Sequence, residues 1–109
     1  MEDITKFETR DDGLYIGGKK VLAGWESFTG WFWFGVEIDH TQDSDLGAGR
    51  VIKDDKIWFG FVQGLDEEWG YFSQGEIEAL APSTWKIKDV DLPHAGRRTQ
   101  KQYIPRVKP

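Results

Sequence analysis

Residues 58–80 read W-F-G-F-V-Q-G-L-D-E-E-W-G-Y-F-S-Q-G-E-I-E-A-L. In order, this is an apolar strand, an acidic turn, a short aromatic strand and a capped helix. Over residues 56–63, Ile57, Phe59 and Phe61 fall on one face and Trp58, Gly60 and Val62 on the other. Both faces are apolar, so this run reads as a strand inside a sheet rather than at its edge. Residues 64–68 turn the chain and residues 69–72 return it. Ser73 and Glu76 then make an S-x-x-E capping box for a helix over residues 74–80, with Ile77 and Leu80 on one face and Pro82 ending it. A helix this short is not stable alone and is expected to pack on the sheet.

Working outward, residues 31–38 mirror the first strand. Phe32, Phe34, Val36 and Ile38 form the apolar set and are assigned to the core by their period of two. Trp31, Trp33, Gly35 and Glu37 form the other face, aromatic at one end and polar at the other. Residues 39–50, D-H-T-Q-D-S-D-L-G-A-G-R, have no periodicity and read as a loop, longer than the usual ~4–6 residues. A short strand over 50–53 is expected to be turned by Asp54-Asp55. Upstream, residues 4–10 alternate weakly as an edge strand. Gly17-Gly18 between short apolar runs is a hairpin signal, because both glycines take positive φ without steric cost. The second arm is expected to continue to Phe28, with a bulge at Gly24 and a turn at Thr29-Gly30. Residues 85–88 alternate as a last strand.

Length and composition fit one domain with a core that needs no staples. The chain has no cysteine, which excludes disulfides and thiol chemistry. The N-terminus is acidic where a signal peptide is basic and then apolar, and no apolar run approaches the ~20 residues of a membrane helix. A soluble, cytoplasmic protein is expected. Charge is uneven: residues 1–91 hold 9 Lys/Arg against 19 Asp/Glu, whereas residues 92–109 hold 5 Lys/Arg and no acid. We therefore expect one α+β domain over 1–93 and a basic, extended or disordered tail over 94–109.

Three motifs carry a resemblance. Gly30-Trp31-Phe32-Trp33, then Phe59-Gly60-Phe61-Val62-Gln63-Gly64, then E-W-G-Y-F-S from Glu68 with its short helix to Leu80, together resemble a family of small uncharacterised proteins carried by phages, plasmids and related mobile elements. The similarity spans roughly residues 20–80. Gly75, the acidic stretch 39–50 and the basic tail depart from that pattern. The resemblance implies a mobile-element setting and brings no activity with it.

The residues offer no catalytic constellation. His40 and His94 lie apart in sequence, Ser73 is explained as a cap, and no glycine-rich run has the lysine of a phosphate loop. Asp43-x-Asp45 resembles the start of a calcium loop, but Gly47 and Ala48 stand where a ligand and the turn glycine belong. No cofactor, metal or enzymatic activity is expected. The binding candidates are the acids Glu37, Asp39, Asp43, Asp45, Asp66, Glu67 and Glu68 and the aromatic pair Trp31 and Trp33. Trp31, Trp33 and Trp58 stack bases on one reading and pack beneath the helix or a neighbouring strand on the other. The tail residues Arg97, Arg98, Lys101, Tyr103 and Arg106 are an alternative site, an arm for phosphates.

The expected architecture is an antiparallel, twisted, meandering sheet of five or six strands with one short helix on one face. The expected function is a small non-catalytic protein that engages a host protein with a basic surface, inhibiting a host defence or DNA-processing machine through its acidic surface. The alternative is a nucleic-acid-binding accessory protein that uses the tail and the Trp face.

Overall fold

The computed structural model describes residues 3–96. It is mainly antiparallel sheet with a single short helix among the described residues, and none of these is long and apolar enough to cross a membrane. In place of one meander there are, among the described residues, eight strands in two sheets. Strands β1 (Phe7–Arg10), β2 (Gly13–Ile16) and β3 (Lys19–Lys20) form the smaller sheet. The larger sheet comprises β4 (Ala23–Ser27), β5 (Phe32–Gly47), β6 (Arg50–Gln63), β7 (Glu67–Ser73) and β8 (Thr84–Lys86), in the order β7-β6-β5-β4-β8. The helix α1 covers Gln74–Glu78.

Gly17-Gly18 does turn a hairpin, that of β2 and β3, with φ of 58° and 82°. Its second arm ends at Lys20, however. At Val21 and Leu22 the chain crosses to the other sheet, where the Leu22 N–H donates to the Gly35 carbonyl at 2.8 Å. Gly24 is not a bulge but a close approach: a Cβ there would lie 2.7 Å from a Leu92 methyl.

The core has two parts, one on each face of the larger sheet. Phe32, Phe34 and Phe61 meet Leu14, Ile16 and Val21 of the smaller sheet, with Ile87, Leu92 and Ala95 closing the side. On the opposite face Ala23, Trp25 and Trp58 pack against Ile77 of α1, joined by Trp33 and Phe72. Trp58 is therefore core, not part of an exposed platform. Residues 94–96, read as the start of the tail, still belong to the packed body: Ala95 is 9% exposed and Gly96 abuts Phe7.

The largest departure from the sequence reading is at 39–47 and 54–55. These are neither loop nor turn but belong, with the expected strand at 50–53, to the outer half of a hairpin of 16 and 14 residues, β5 with β6. Ala48 and Gly49 make its two-residue tip, with φ of 53° and 77°, the positive values that tight hairpin turns demand. The pairing slips four times, between Gly35 and Glu37, Ile38 and His40, Gln42 and Ser44, and Asp45 and Gly47. Each slip is a bulge, which strengthens the twist and resets which face later residues occupy. Beyond the first, Glu37 pairs with Phe59 and Ile38 with Trp58, so Ile38 leaves the face of Phe34 and is 44% exposed.

Asp55 fastens this ribbon to the helix. It is buried and opposite Gln42 in the ladder, not in a turn. The Ser44 hydroxyl donates to its Oδ2 at 2.6 Å, the Ser73 hydroxyl donates to the same oxygen, and the Gly75 N–H donates to Oδ1 at 2.7 Å. Ser73 in turn accepts from the Glu76 N–H at 3.0 Å as the helix N-cap. The capping serine expected from S-x-x-E is thus present, and a carboxylate 18 residues upstream supports it. Farther along α1, Trp58 Nε1 donates to Gln74 at 2.9 Å and Trp25 Nε1 to Glu78 at 3.1 Å. The helix ends at Glu78, two residues earlier than expected, so Leu80 turns outward and is 58% exposed rather than core.

Candidate protein-binding site

The turn from β4 to β5 is held tightly. The Ser27 N–H donates to the Trp31 carbonyl at 2.9 Å, and the Trp31 N–H donates to the Ser27 hydroxyl at 3.2 Å. The Phe28 N–H reaches across to the Ser83 carbonyl at 3.1 Å. This turn holds Phe28 in water, 74% exposed. Nothing in the turn requires an aromatic residue there.

Next to it, Trp31 and Trp33 stack with ring centroids 5.8 Å apart. Trp31 lies over Gly64, where a Cβ would come within 2.2 Å of its ring; only glycine leaves room for it. Trp33 leans on the cluster beneath the helix. Each ring is half-buried. Phe28, Trp31, Trp33 and Leu80 wall a groove of about 340 Å³, with the buried Ser27 and Thr84 beneath. Among the described residues its lining surface is mostly apolar and includes no Lys or Arg. A surface that stacks nucleic-acid bases sets cations beside its rings, because phosphate contacts supply most of the affinity.

The acids expected to act as one surface are divided by the register. Glu68 pairs with Val62 and Asp45 with Val51, at the two ends of β6. Eleven residues at ~3.3 Å each separate them by up to roughly 36 Å. The ribbon acids are also engaged locally. Asp43 accepts from the Asp54 N–H and from Lys53 Nζ, both at 3.1 Å; these two bonds hold its carboxyl below its ordinary pKa and fix the bulge at Asp54. Asp45 accepts from the Gly47 N–H at 2.7 Å and shapes the tip. Asp39 pairs with His40 at 2.7 Å and, with Gln42, raises the imidazole pKa. Glu37 lies exposed opposite Phe59. Among the described residues, no three His, Asp or Glu converge where a metal could be held.

Asp66 and Glu68 lie at the other end, past Gly64 and the groove, whereas Glu67 follows Gln63 and Phe32 on the opposite face. Glu68 follows Val62 and Trp33 across the sheet, on the face of the tryptophan pair. Glu67 pairs with Gln63 and accepts from its amide at 3.1 Å. Arg97, Arg98, Lys101, Tyr103 and Arg106 lie outside the described residues. Phe28 and Leu80 escaped the sequence reading. The only signal for Phe28 was an aromatic residue inside S-F-T-G, a turn that needs none; for Leu80 there was none, because its exposure follows from where the helix stops. Comparison with protein-family models, curated proteins and solved structures finds no match to this chain.

Proposed function

We propose that this protein is a small non-catalytic binding module. It engages a protein partner by an apolar anchor seated between Phe28, Trp31, Trp33 and Leu80, with Asp66 and Glu68 facing basic residues on the partner's rim. The observation that carries this is Phe28, 74% exposed on a hydrogen-bonded turn beside the tryptophan stack. Contiguous exposed apolar side chains rimmed by polar ones mark interaction surfaces, and aromatic residues dominate the binding energy there. The resemblance to mobile-element proteins supports a host protein as the partner, within a defence or DNA-processing machine of the host cytoplasm that binding would inhibit.

Host lysate passed over the immobilised protein tests this, with retained proteins quantified by mass spectrometry. Phe28→Ser and Leu80→Ser should each reduce capture of the partner at least tenfold, about 1.4 kcal/mol. Both side chains are exposed, so the unfolding curves should not move. Asp66→Asn with Glu68→Gln should slow association and flatten its salt dependence, since rim charges act mainly on encounter. Salt-sensitive binding to single- or double-stranded DNA that vanishes on deleting residues 97–109, with no protein captured through the groove, would establish the nucleic-acid reading in its place.

A further inference from the structure

One edge of the larger sheet is regular throughout. β7 pairs with β6 over all of Glu67–Ser73 without a register shift. Among the described residues no strand lies on its other side. Its sequence, E-E-W-G-Y-F-S, has no Lys, Arg or Pro, residues that commonly keep an edge strand from pairing. Trp69 is fixed in place: its ring stacks on Phe59 at 5.6 Å and its Nε1 donates to the Ile4 carbonyl at 2.9 Å. Tyr71 leans on the same Phe59 at 5.2 Å and is 64% exposed. Between them lies Gly70. Every other glycine among the described residues has a positive φ or a neighbour that a Cβ would crowd. Gly70 has neither: among the described residues nothing would come within 4 Å of a Cβ on it. A glycine inside a strand weakens it and often marks a place where another backbone comes close.

We propose that two copies of this protein pair β7 to β7 as antiparallel strands about a twofold axis at Gly70, joining their larger sheets into one. The strand is self-complementary in this register. Trp69 stands opposite Tyr71 of the second copy, and Tyr71 opposite its Trp69, on the face that carries Phe59. Aromatic pairs across strands are among those that stabilise a sheet. Glu68 stands opposite Phe72, so no acid faces an acid although each chain carries a net charge of −5. A parallel pairing would set Glu68 against Glu68, and that repulsion fixes the direction. Glycine meets glycine on the axis, where the two backbones come closest. The contact uses the same edge of both copies, so association stops at two. A strand pair of this length buries less than the ~1,600 Å² of a standard interface, so a weak dimer with Kd of roughly 10–100 µM is expected. The axis runs through the sheet, which leaves both tryptophan grooves on the same face of the dimer.

Sedimentation equilibrium of the full-length chain, at concentrations that bracket this Kd, should show the mass rise toward twice that of one chain and no further. Tyr71→Glu replaces the aromatic pair with another acid and should weaken the dimer at least about tenfold. Tyr71 is mostly exposed, so the unfolding curve of the dilute, monomeric protein should move little. The chain has no cysteine, so Gly70→Cys introduces a single thiol where there is room for it. Opposed residues of an antiparallel pair have Cα atoms ~4.5–5.5 Å apart, within disulfide range, so oxidised glutathione should link two Gly70→Cys chains. Glu68→Cys should not link, because its two copies lie four residues, roughly 13 Å, apart along the strands. A chain that stays monomeric and forms no Gly70→Cys link overturns the inference. So does a dimer that links as readily through Glu68→Cys or survives Tyr71→Glu. A dimer that Phe28→Ser dissolves places the second copy at the groove and overturns it too. A monomer whose capture of a host protein falls with Tyr71→Glu puts a foreign strand on this edge, with the same consequence.

Discussion

Replacing Asp55 by alanine should lower the free energy of unfolding by roughly 3–5 kcal/mol, among the larger effects a single side chain has. The change leaves the Ser44 hydroxyl, the Ser73 hydroxyl and the Gly75 N–H without their acceptor, in a site where Asp55 is only 3% exposed. Urea denaturation measures it. Ser73→Ala, which removes the cap but keeps the carboxylate and its other donors, should cost only about 1 kcal/mol. A loss of less than ~1 kcal/mol for Asp55→Ala would show that the ribbon does not depend on this junction for its place.

The same group sets an acid limit. Burial pushes the Asp55 carboxyl up, but hydrogen bonds from Ser44, Ser73 and the Gly75 and Lys56 backbones outweigh it and hold the pKa below the ordinary value. A depressed folded pKa means that the stabilisation is fully present above the unfolded value, near ~3.9, and is lost as pH falls through the folded one. Asp55→Asn should therefore be less stable than the natural protein at pH 7, and the gap should narrow as the pH drops below about 4.

Phe34→Ala should be comparably severe, about 3–5 kcal/mol. Phe34 is wholly buried, stacked on Phe32 at 5.8 Å and edge-on to Phe7 at 5.6 Å. Phe59 follows the same alternation in sequence but should cost less than ~2 kcal/mol on truncation, because a half-buried ring recovers less from burial. Near the surface it stacks on Trp69 at 5.6 Å and lies tilted against Tyr71 at 5.2 Å. Equal losses at the two positions would mean that Phe59 is core and that the smaller sheet covers more of the larger one than described.

These two phenylalanines also show what a linear reading can see. Alternation located Phe32, Phe34 and Phe61 because one face there is dry. It failed at Ile38, since one inserted residue at Val36 reverses the faces, and a bulge leaves no mark in hydrophobicity. The β5 arm of the ribbon, 39–47, was unreadable as strand for a related reason: water meets most of it, so polar residues occupy both sides and no period survives, and only 50–53 of the other arm showed as strand. Asp54-Asp55 has turn composition, and the partners that make Asp55 structural are 11, 18 and 20 residues away. Of the candidate site, Trp31 and Trp33 were legible from composition. Phe28 and Leu80 join them only through the Ser27–Trp31 turn and the early end of α1.

The bulges of β5 bear on how molecules of this protein avoid one another. Past Gly35 no strand lies on the outer side of β5 among the described residues, leaving its backbone open along more than half its length. A straight edge of that length is a template on which further copies polymerise. Here, extra residues at Val36, Asp39 and Leu46 break the even spacing of donors and acceptors, so an incoming strand finds only short runs in step. Asp39, Asp43 and Asp45 add like-charge repulsion where two such edges would meet. The irregular pairing that hid this ribbon from its own sequence thus acts as a guard against fibre growth.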